Sequence, residues 1–247
     1  MKEKTSIFIP ARMMSSRFPG KPLAPIDGIP MVVYCAKNAI ETGVEVYVCT
    51  DSNEIKTVCE LYGVNAILTP ECETGTDRIA IAADNLETDY IINLQGDEPL
   101  VDVASLNKMI SMLPSLAERD TIITGVAAIN SEEAFDPNNV KCALIKNSSK
   151  IQYFSRKPLL NSIKGKGKPS YYKQVGVYGM PYKTLKKFSL IPKGELEEAE
   201  RVELLRWLEN GLDIFACLIE NKTISVDTPN DLVEVISYLK TKNNVNT

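Results

Sequence analysis

Short apolar runs alternate with amphipathic stretches along the first half of the chain, and few folds accommodate that order. Residues 7–9, 44–49, 66–68, 90–94 and 122–129 are rich in β-branched or aromatic side chains and are bounded by turn-formers, which predicts strands. Between them, residues 31–40, 54–62, 77–86 and 104–113 carry helical spacing. Strands separated by helices predict an α/β fold: a mixed, mostly parallel sheet flanked by helices on both faces. Near residue 140 the order changes. Residues 140–145 and 151–154, joined by the polar turn Lys146-Asn147-Ser148-Ser149-Lys150, predict a small β-hairpin insertion, and such departures often carry specificity. The run Lys164-Gly165-Lys166-Gly167-Lys168-Pro169 reads as a solvated loop. A strand at 175–178, a helix over 195–210, a strand at 214–219 and a helix over 230–239 complete a single domain of residues 1–247.

Strand one ends at Pro10 and delivers the segment Pro10-Ala11-Arg12-Met13-Met14-Ser15-Ser16-Arg17-Phe18-Pro19-Gly20-Lys21-Pro22-Leu23. In open α/β sheets ligands bind beyond the carboxyl ends of the strands, and Pro19-Gly20 turns the loop back on itself. Arg12, Arg17 and Lys21 can then converge on one polyphosphate; a plain solvated basic loop is the alternative. The rest of the chain makes this loop an exception. A net charge of −4 and a pI near 5.2 argue against nucleic-acid or anionic-membrane partners. With no leader-like apolar stretch before strand one and no later run approaching the span of a bilayer, a cytoplasmic protein without a membrane partner is expected. Cys35, Cys49, Cys59, Cys72, Cys142 and Cys217 are scattered without a CxxC, which suits reduced, buried thiols. The chain has no histidine, so its chemistry must use carboxylates, Lys, Arg or a metal held by oxygen.

Two acids stand where such a metal could bind. Asp97 follows the apolar run Tyr90-Ile91-Ile92-Asn93-Leu94-Gln95-Gly96, which sets it at the carboxyl edge of the sheet beside the basic loop. Magnesium prefers one or two protein carboxylates plus phosphate oxygens, so Asp97 is a sensible ligand; a turn with Asp97 as a helix cap is the other reading. In Val226-Asp227-Thr228-Pro229-Asn230-Asp231 the helix start accounts for Thr228 as cap and Pro229 as first helical residue, leaving Asp227 free to face the same cleft. Thr74-Gly75-Thr76-Asp77-Arg78 opens another helix, whose N–H groups, the Thr76 hydroxyl and Arg78 could contact a nucleotide, with capping by Thr76 equally open. Neither GxxxxGK[ST] nor GxGxxG occurs.

In chain order, Ile9-Pro10-Ala11-Arg12, Ser16-Arg17-Phe18-Pro19-Gly20-Lys21-Pro22-Leu23, Gly75-Thr76-Asp77-Arg78, Asn93 to Pro99, Tyr153-Phe154-Ser155-Arg156, Gly176-Val177-Tyr178, Leu205-Arg206, Leu208-Glu209-Asn210-Gly211 and Val226-Asp227-Thr228-Pro229 span almost the whole sequence. Together they resemble the CMP-Kdo synthetase family (3-deoxy-manno-octulosonate cytidylyltransferases), a branch of the GT-A-like, Rossmann-like nucleotidyltransferases. The resemblance implies a Mg²⁺-dependent reaction of CTP with a 3-deoxy-ulosonic acid, giving the CMP-sugar and pyrophosphate, by a homodimer in which residues 140–180 form a substrate and dimerisation insertion. It assigns Arg12, Lys21 and Asp97 to catalysis, and Pro10, Ala11, Arg12, Arg17, Lys21, Thr76 and Arg78 to CTP. Gln95, Arg156, Gln174, Tyr178 and Glu203 would line the sugar pocket, with Asp97 and Asp227 holding the metal. The chemistry needs no histidine: a sugar hydroxyl attacks the α-phosphorus while cations neutralise the leaving pyrophosphate.

This chain departs from the family pattern in three places. Gln174 stands where a histidine is usual, Leu204 where a glutamine follows the glutamate, and Met13-Met14 where an aromatic and a small residue are common. Gln174 still donates and accepts hydrogen bonds, whereas Leu204 cannot replace an amide. Both are expected on the sugar side, so the preferred acid could be Kdo, 8-amino-Kdo or another sugar acid. A non-catalytic nucleotide-binding protein on the same scaffold is the reading from a different class.

Overall fold

Residues 3–15, 17–145, 147–160, 170–220 and 222–245 are described in this computed structural model of the chain. The Gly/Lys run at 164–169 lies outside them, as do Ser16 of the basic loop and Lys146 of the hairpin turn. The strands are β1 (Thr5–Ala11), β2 (Pro25–Ile26), β3 (Ile29–Pro30), β4 (Glu45–Thr50), β5 (Ala66–Leu68), β6 (Tyr90–Leu94), β7 (Thr121–Ile129), β8 (Lys141–Ile145), β9 (Lys150–Ser155), β10 (Tyr171–Pro181) and β11 (Asp213–Leu218). The helices are α1 (Met31–Ile40), α2 (Asn53–Leu61), α3 (Gly75–Ala83), α4 (Val103–Met112), α5 (Ser131–Phe135), α6 (Tyr182–Leu190), α7 (Glu195–Glu200), α8 (Leu205–Glu209) and α9 (Pro229–Val245).

Nine strands form one sheet in the order β5-β4-β1-β6-β10-β7-β11-β9-β8, and β2 pairs with β3 in a separate miniature hairpin. The half containing β5, β4, β1 and β6 is parallel, as the alternation with helices requires. Its central strands β1 and β6 are covered on both faces. Ile7 and Ile9 of β1 belong to one apolar cluster, with α1, α4 and Val235 of α9, while Phe8 belongs to the other, with α3, α6 and Trp207 of α8. Each fully buried aliphatic or aromatic side chain contributes about 1.5–3 kcal/mol by leaving water, so two-faced burial is what fixes these strands.

β10 runs antiparallel to both β6 and β7, with Val177 opposite Leu94 and Tyr178 opposite Thr124. That single strand joins the parallel half to the rest of the sheet. It begins at Tyr171, so the last part of the expected 140–180 insertion is no appendage. β8 also pairs with β10 and β9 with β11, which closes β10, β7, β11, β9 and β8 into a ring.

Two helices differ from the sequence expectation. The helix expected over 195–210 breaks into α7 and α8, because Arg201 takes a left-handed conformation at φ 53° and ends the first. Between them, Val202 and Leu204 turn inward, 4% and 1% exposed, and join the Trp207 cluster. The other is α6, which like the short α5 had no sequence expectation; its buried Thr184, Leu185 and Phe188 pack it against the sheet. α9 starts as expected, through a reciprocal cap in which Asp231 accepts from the Thr228 N–H and hydroxyl and Thr228 Oγ1 accepts from the Asp231 N–H.

Candidate active site

A cleft of about 1020 Å³ opens beyond the carboxyl ends of β1 and β6. Its walls come from the basic loop after β1, the turn after β6, the start of α3, the first part of β10 and the α7–α8 junction. Pro10, Ala11, Arg12, Arg17, Lys21, Gln95, Asp97, Arg156, Gln174, Tyr178, Glu203 and Asp227 all line it. Chain positions more than two hundred residues apart therefore meet in one place.

At the mouth, Gly20 sits at φ 72°, a conformation glycine adopts without cost, and its N–H donates to Met13 O at 3.3 Å. The 3-10 turn that follows carries Lys21 inward. Its ammonium donates to Asp97 Oδ2 at 2.6 Å and to Val226 O at 2.9 Å, and lies 3.8 Å from Asp227 Oδ1. Arg17 Nη2 meets Asp227 Oδ1 at 2.8 Å. Asp97 thus takes a lysine rather than capping a helix. Arg12 is exposed and enters no salt bridge among the described residues.

Asp97 and Asp227 suit a divalent cation. Both offer hard oxygen donors within 4 Å of one ammonium, which marks a point that already attracts positive charge. No group of three or more His, Cys, Asp or Glu able to hold a metal occurs among the described residues. Two carboxylates leave most of an octahedral shell to substrate phosphates and water, which is how magnesium is usually held in phosphoryl-transfer sites.

The inner end is built differently. Tyr178 is 8% exposed, and burial, reinforced by Glu203, Asp97 and Glu98, holds its hydroxyl well above the usual range. It remains a neutral donor. Gln174 is half-buried beside it, its backbone N–H fixed to Val140 O at 2.8 Å. Arg156 is held by three neutral carbonyls: Nε to Glu200 O at 2.7 Å, Nη1 to Pro137 O at 3.0 Å and Nη2 to Arg201 O at 3.3 Å. No side-chain carboxylate pairs with that guanidinium among the described residues, so its charge stays available to an anion. The buried ammonium of Lys141 supports it from below, donating to the carbonyls of Asp136, Asn139 and Arg156.

The structure sharpens three expectations. Arg78 lines the cleft but is 3% exposed, with Nη2 on Asp51 Oδ2 and Nη1 on Thr69 Oγ1, each at 2.6 Å, so its guanidinium is already tied to the ends of β4 and β5. Thr74, not Thr76, caps α3 by accepting from the Asp77 N–H; Thr76 is 1% exposed and donates to Glu203 Oε2 at 2.6 Å. Leu204 packs in the core, which leaves Gln174 as the one of the two sugar-side departures that lines the cleft; Met14 of the basic loop lines it as well.

Sequence reasoning passed over Glu98. It is 3% exposed, accepts from the Gly176 N–H at 2.9 Å and from the Ser225 hydroxyl, and keeps Oε2 buried without a partner. Burial and the neighbouring Asp97 push its carboxyl up to about 7. Position beside Asp97 was its one signal.

A cytidylyltransferase family model matches residues 6–214. An 8-amino-3,8-dideoxy-manno-octulosonate cytidylyltransferase of Shewanella baltica is 40% identical over 238 residues, covering 92% of this chain and 95% of the relative. A 3-deoxy-manno-octulosonate cytidylyltransferase of Thermodesulfovibrio yellowstonii is 40% identical over 245 residues with the same coverage. The solved structure of a CMP:2-keto-3-deoxy-manno-octonic acid synthetase complexed with CTP superposes with a TM-score of 0.88 at 33% identity, covering 97% of this chain and 100% of that one. A putative glucose-1-phosphate thymidylyltransferase from Bacillus anthracis, at 16% identity and a TM-score of 0.66, shares the fold. The chain belongs to the CMP-Kdo synthetase family of cytidylyltransferases and is a nucleotidyltransferase.

Proposed function

We propose that this enzyme transfers CMP from CTP to a 3-deoxy-ulosonic acid, Kdo or its 8-amino analogue, and releases pyrophosphate. The observation that carries the reading is Lys21 held between Asp97 and Asp227 at one end of a cleft whose other end offers an unpaired guanidinium and a neutral tyrosine hydroxyl. Arg12, Arg17 and Lys21 would grip the triphosphate, with Pro10 and Ala11 as its floor. Arg156 and Tyr178 would hold the sugar carboxylate, with Gln95, Gln174 and Glu203 around the hydroxyls. A new bond forms between the sugar's anomeric oxygen and the α-phosphorus as the bond to the pyrophosphate oxygen breaks, and the hydroxyl proton passes to water. A bound Mg²⁺ would supply charge neutralisation at the phosphates, and Asp97 and Asp227 are the residues that would hold it.

Pyrophosphate release tests the reading. CTP with Kdo or 8-amino-Kdo should turn over in the presence of Mg²⁺, and UTP or ATP should not. Turnover of CTP with neither acid would sink it. Gln174 favours a second reading, another sugar acid, which the same assay separates by running a panel of ulosonic acids. Binding of CTP without turnover of any acid would point instead to a non-catalytic protein. The product suits lipopolysaccharide or capsule assembly in the cytoplasm; no helix among the described residues is long and apolar enough to cross a membrane. A homodimer is proposed through the β8–β9 side, where Phe135 and Ile145 are exposed; a monomeric mass by light scattering would overturn it.

A further inference from the structure

Four side chains form a hydrogen-bonded file across the floor of the inner cleft. Gln95 Nε2 donates to Asn93 Oδ1 at 2.9 Å, Asn93 Nδ2 donates to Thr76 Oγ1 at 3.2 Å, and the Thr76 hydroxyl donates to Glu203 Oε2 at 2.6 Å. Asn93 and Thr76 are 0% and 1% exposed, and neither reaches the cleft itself. Only the two ends do.

The file has a direction. Burial raises the Glu203 carboxyl while the Thr76 hydrogen bond holds it down, and in its carboxylate form it only accepts, which obliges the Thr76 hydroxyl to donate to it. With its one proton engaged, Thr76 Oγ1 can only accept from Asn93, which turns Asn93 Nδ2 toward it and Asn93 Oδ1 toward Gln95. Gln95 must then present Nε2 inward, and its Oε1 is left for the cleft. Glu203 Oε1, at the opposite end, is buried without a hydrogen-bond partner.

The stem of Gln95 is fixed as well. Its backbone N–H donates to Gly176 O at 2.8 Å, and a Cβ at Gly176 would lie 3.1 Å from Gln95 Cβ and Cγ. A Cβ at Gly75 would lie 3.4 Å from Gln95 Nε2. Glycine at 176 leaves room for the Gln95 stem against β10, where a Cβ would be tight, and a Cβ at 75 would be tight against Pro10 while only touching the amide.

We infer that Asn93 and Thr76 are positioning residues which, through Glu203, fix the amide of Gln95 so that its Oε1 is presented to the substrate as an acceptor. The inference rests on the reading of this cleft as a sugar-acid site and adds to it the kind of group recognised: a hydroxyl or an ammonium that donates, and not an ether or a deoxy carbon. A buried polar chain satisfied at every inner link holds its geometry, and a site built to accept from a hydroxyl rejects the analogue lacking it.

The test has two arms. In substrate-free protein, the side-chain amide protons of Gln95 and Asn93 should exchange slowly by NMR, and Thr76→Val should shift the Gln95 amide signals although the two residues do not touch in the file. Unmoved Gln95 signals in a folded Thr76→Val protein would overturn the file. In the pyrophosphate assay, Thr76→Val should raise KM for the sugar acid about tenfold with KM for CTP unchanged, and Thr76→Ser should restore it. Adding Thr76→Val to Gln95→Met should cost little beyond Gln95→Met alone, because the pair acts as one unit. Fully additive effects, or a sugar KM within twofold of wild type, would overturn the link to recognition. Should Thr76→Val fail to fold, Gln95→Glu serves: it cannot donate to Asn93 Oδ1, so the Asn93 amide signals must move. Absence of turnover with every acid in the wild type would fall on the proposed substrate, while the NMR arm still decides the file.

Discussion

At the basic-loop end of the cleft the ionic groups are partly buried and bonded to one another, Lys21 to Asp97 and Asp227, Arg17 to Asp227; at the inner end Tyr178, Asn93 and Thr76 are buried, and Asn93 and Thr76 are joined to Glu203 and Gln95 by one-way hydrogen bonds. Ion pairs that keep one side in contact with water contribute modestly to stability. In the proposed reaction Lys21 and the two aspartates would part as a metal-bound triphosphate arrives, the lysine turning to phosphate and the acids to metal. Buried polar groups cannot reorganise so cheaply, since each broken link leaves a desolvated donor or acceptor. One end is prepared to rearrange and the other to discriminate.

Removing a support of the rigid end should have the largest effect. Arg206 and Glu197 form a buried two-point pair, both contacts at 2.7 Å, that ties α7 to α8 around the Glu203 turn. Glu197→Ala leaves a buried guanidinium unpaired and should cost about 3–5 kcal/mol, followed by fluorescence of Trp207, the protein's one tryptophan. A loss under 1 kcal/mol would break the contrast with the other end. Asp97→Asn should next lower kcat about 10²–10³-fold while the melting temperature stays nearly unchanged, measured by pyrophosphate release and calorimetry. An equal fall in stability would mean that the phosphate end is also a scaffold.

Glu98 lies where the two ends meet and brings pH into the comparison. Its carboxyl is raised from an ordinary value near 4.5 to about 7, so the folded protein keeps a proton that the unfolded chain releases. Stability from this group is full below about 4.5, declines as pH rises and is lost above about 7; the whole change is on the order of 3 kcal/mol at most. Urea unfolding of metal-free Glu98→Gln should show the variant gaining on wild type from pH 5 to pH 8. Parallel curves would remove burial as the governing influence. The smallest effect belongs to Arg17→Ala, whose side chain is 53% exposed: KM for CTP should rise a few-fold at low salt and hardly at all at high salt.

What could be read from sequence follows the same division. Lys21, Asp97 and Asp227 were legible because each sits at a strand end, a turn or a helix cap, places that local pattern marks. The parallel strands were legible because burial on both faces leaves unbroken apolar runs, as in β6. Asn93 looked like one polar residue inside such a run, and Thr76 like a cap; only packing shows that they face each other. Arg78 seemed available for the same reason, since Asp51 is its partner through the fold and not through spacing. The break at Arg201 went unread because the residues from 195 to 210 have helical composition throughout, and the inward turn of Val202 and Leu204 is a tertiary choice.

β10 has a consequence for how the chain acquires this shape. Its residues, 171–181, lie in the sheet between strands made from residues 90–94 and 121–129, so the two halves of the sheet cannot join until a segment far along the sequence is present. Pairings of such high sequence separation form slowly. On the ribosome, at roughly 5–20 residues per second, β6 would wait several seconds with one edge open, a window in which the nascent chain is exposed to wrong pairing. The strand that unites the cleft is also the one the two halves of the sheet must wait for.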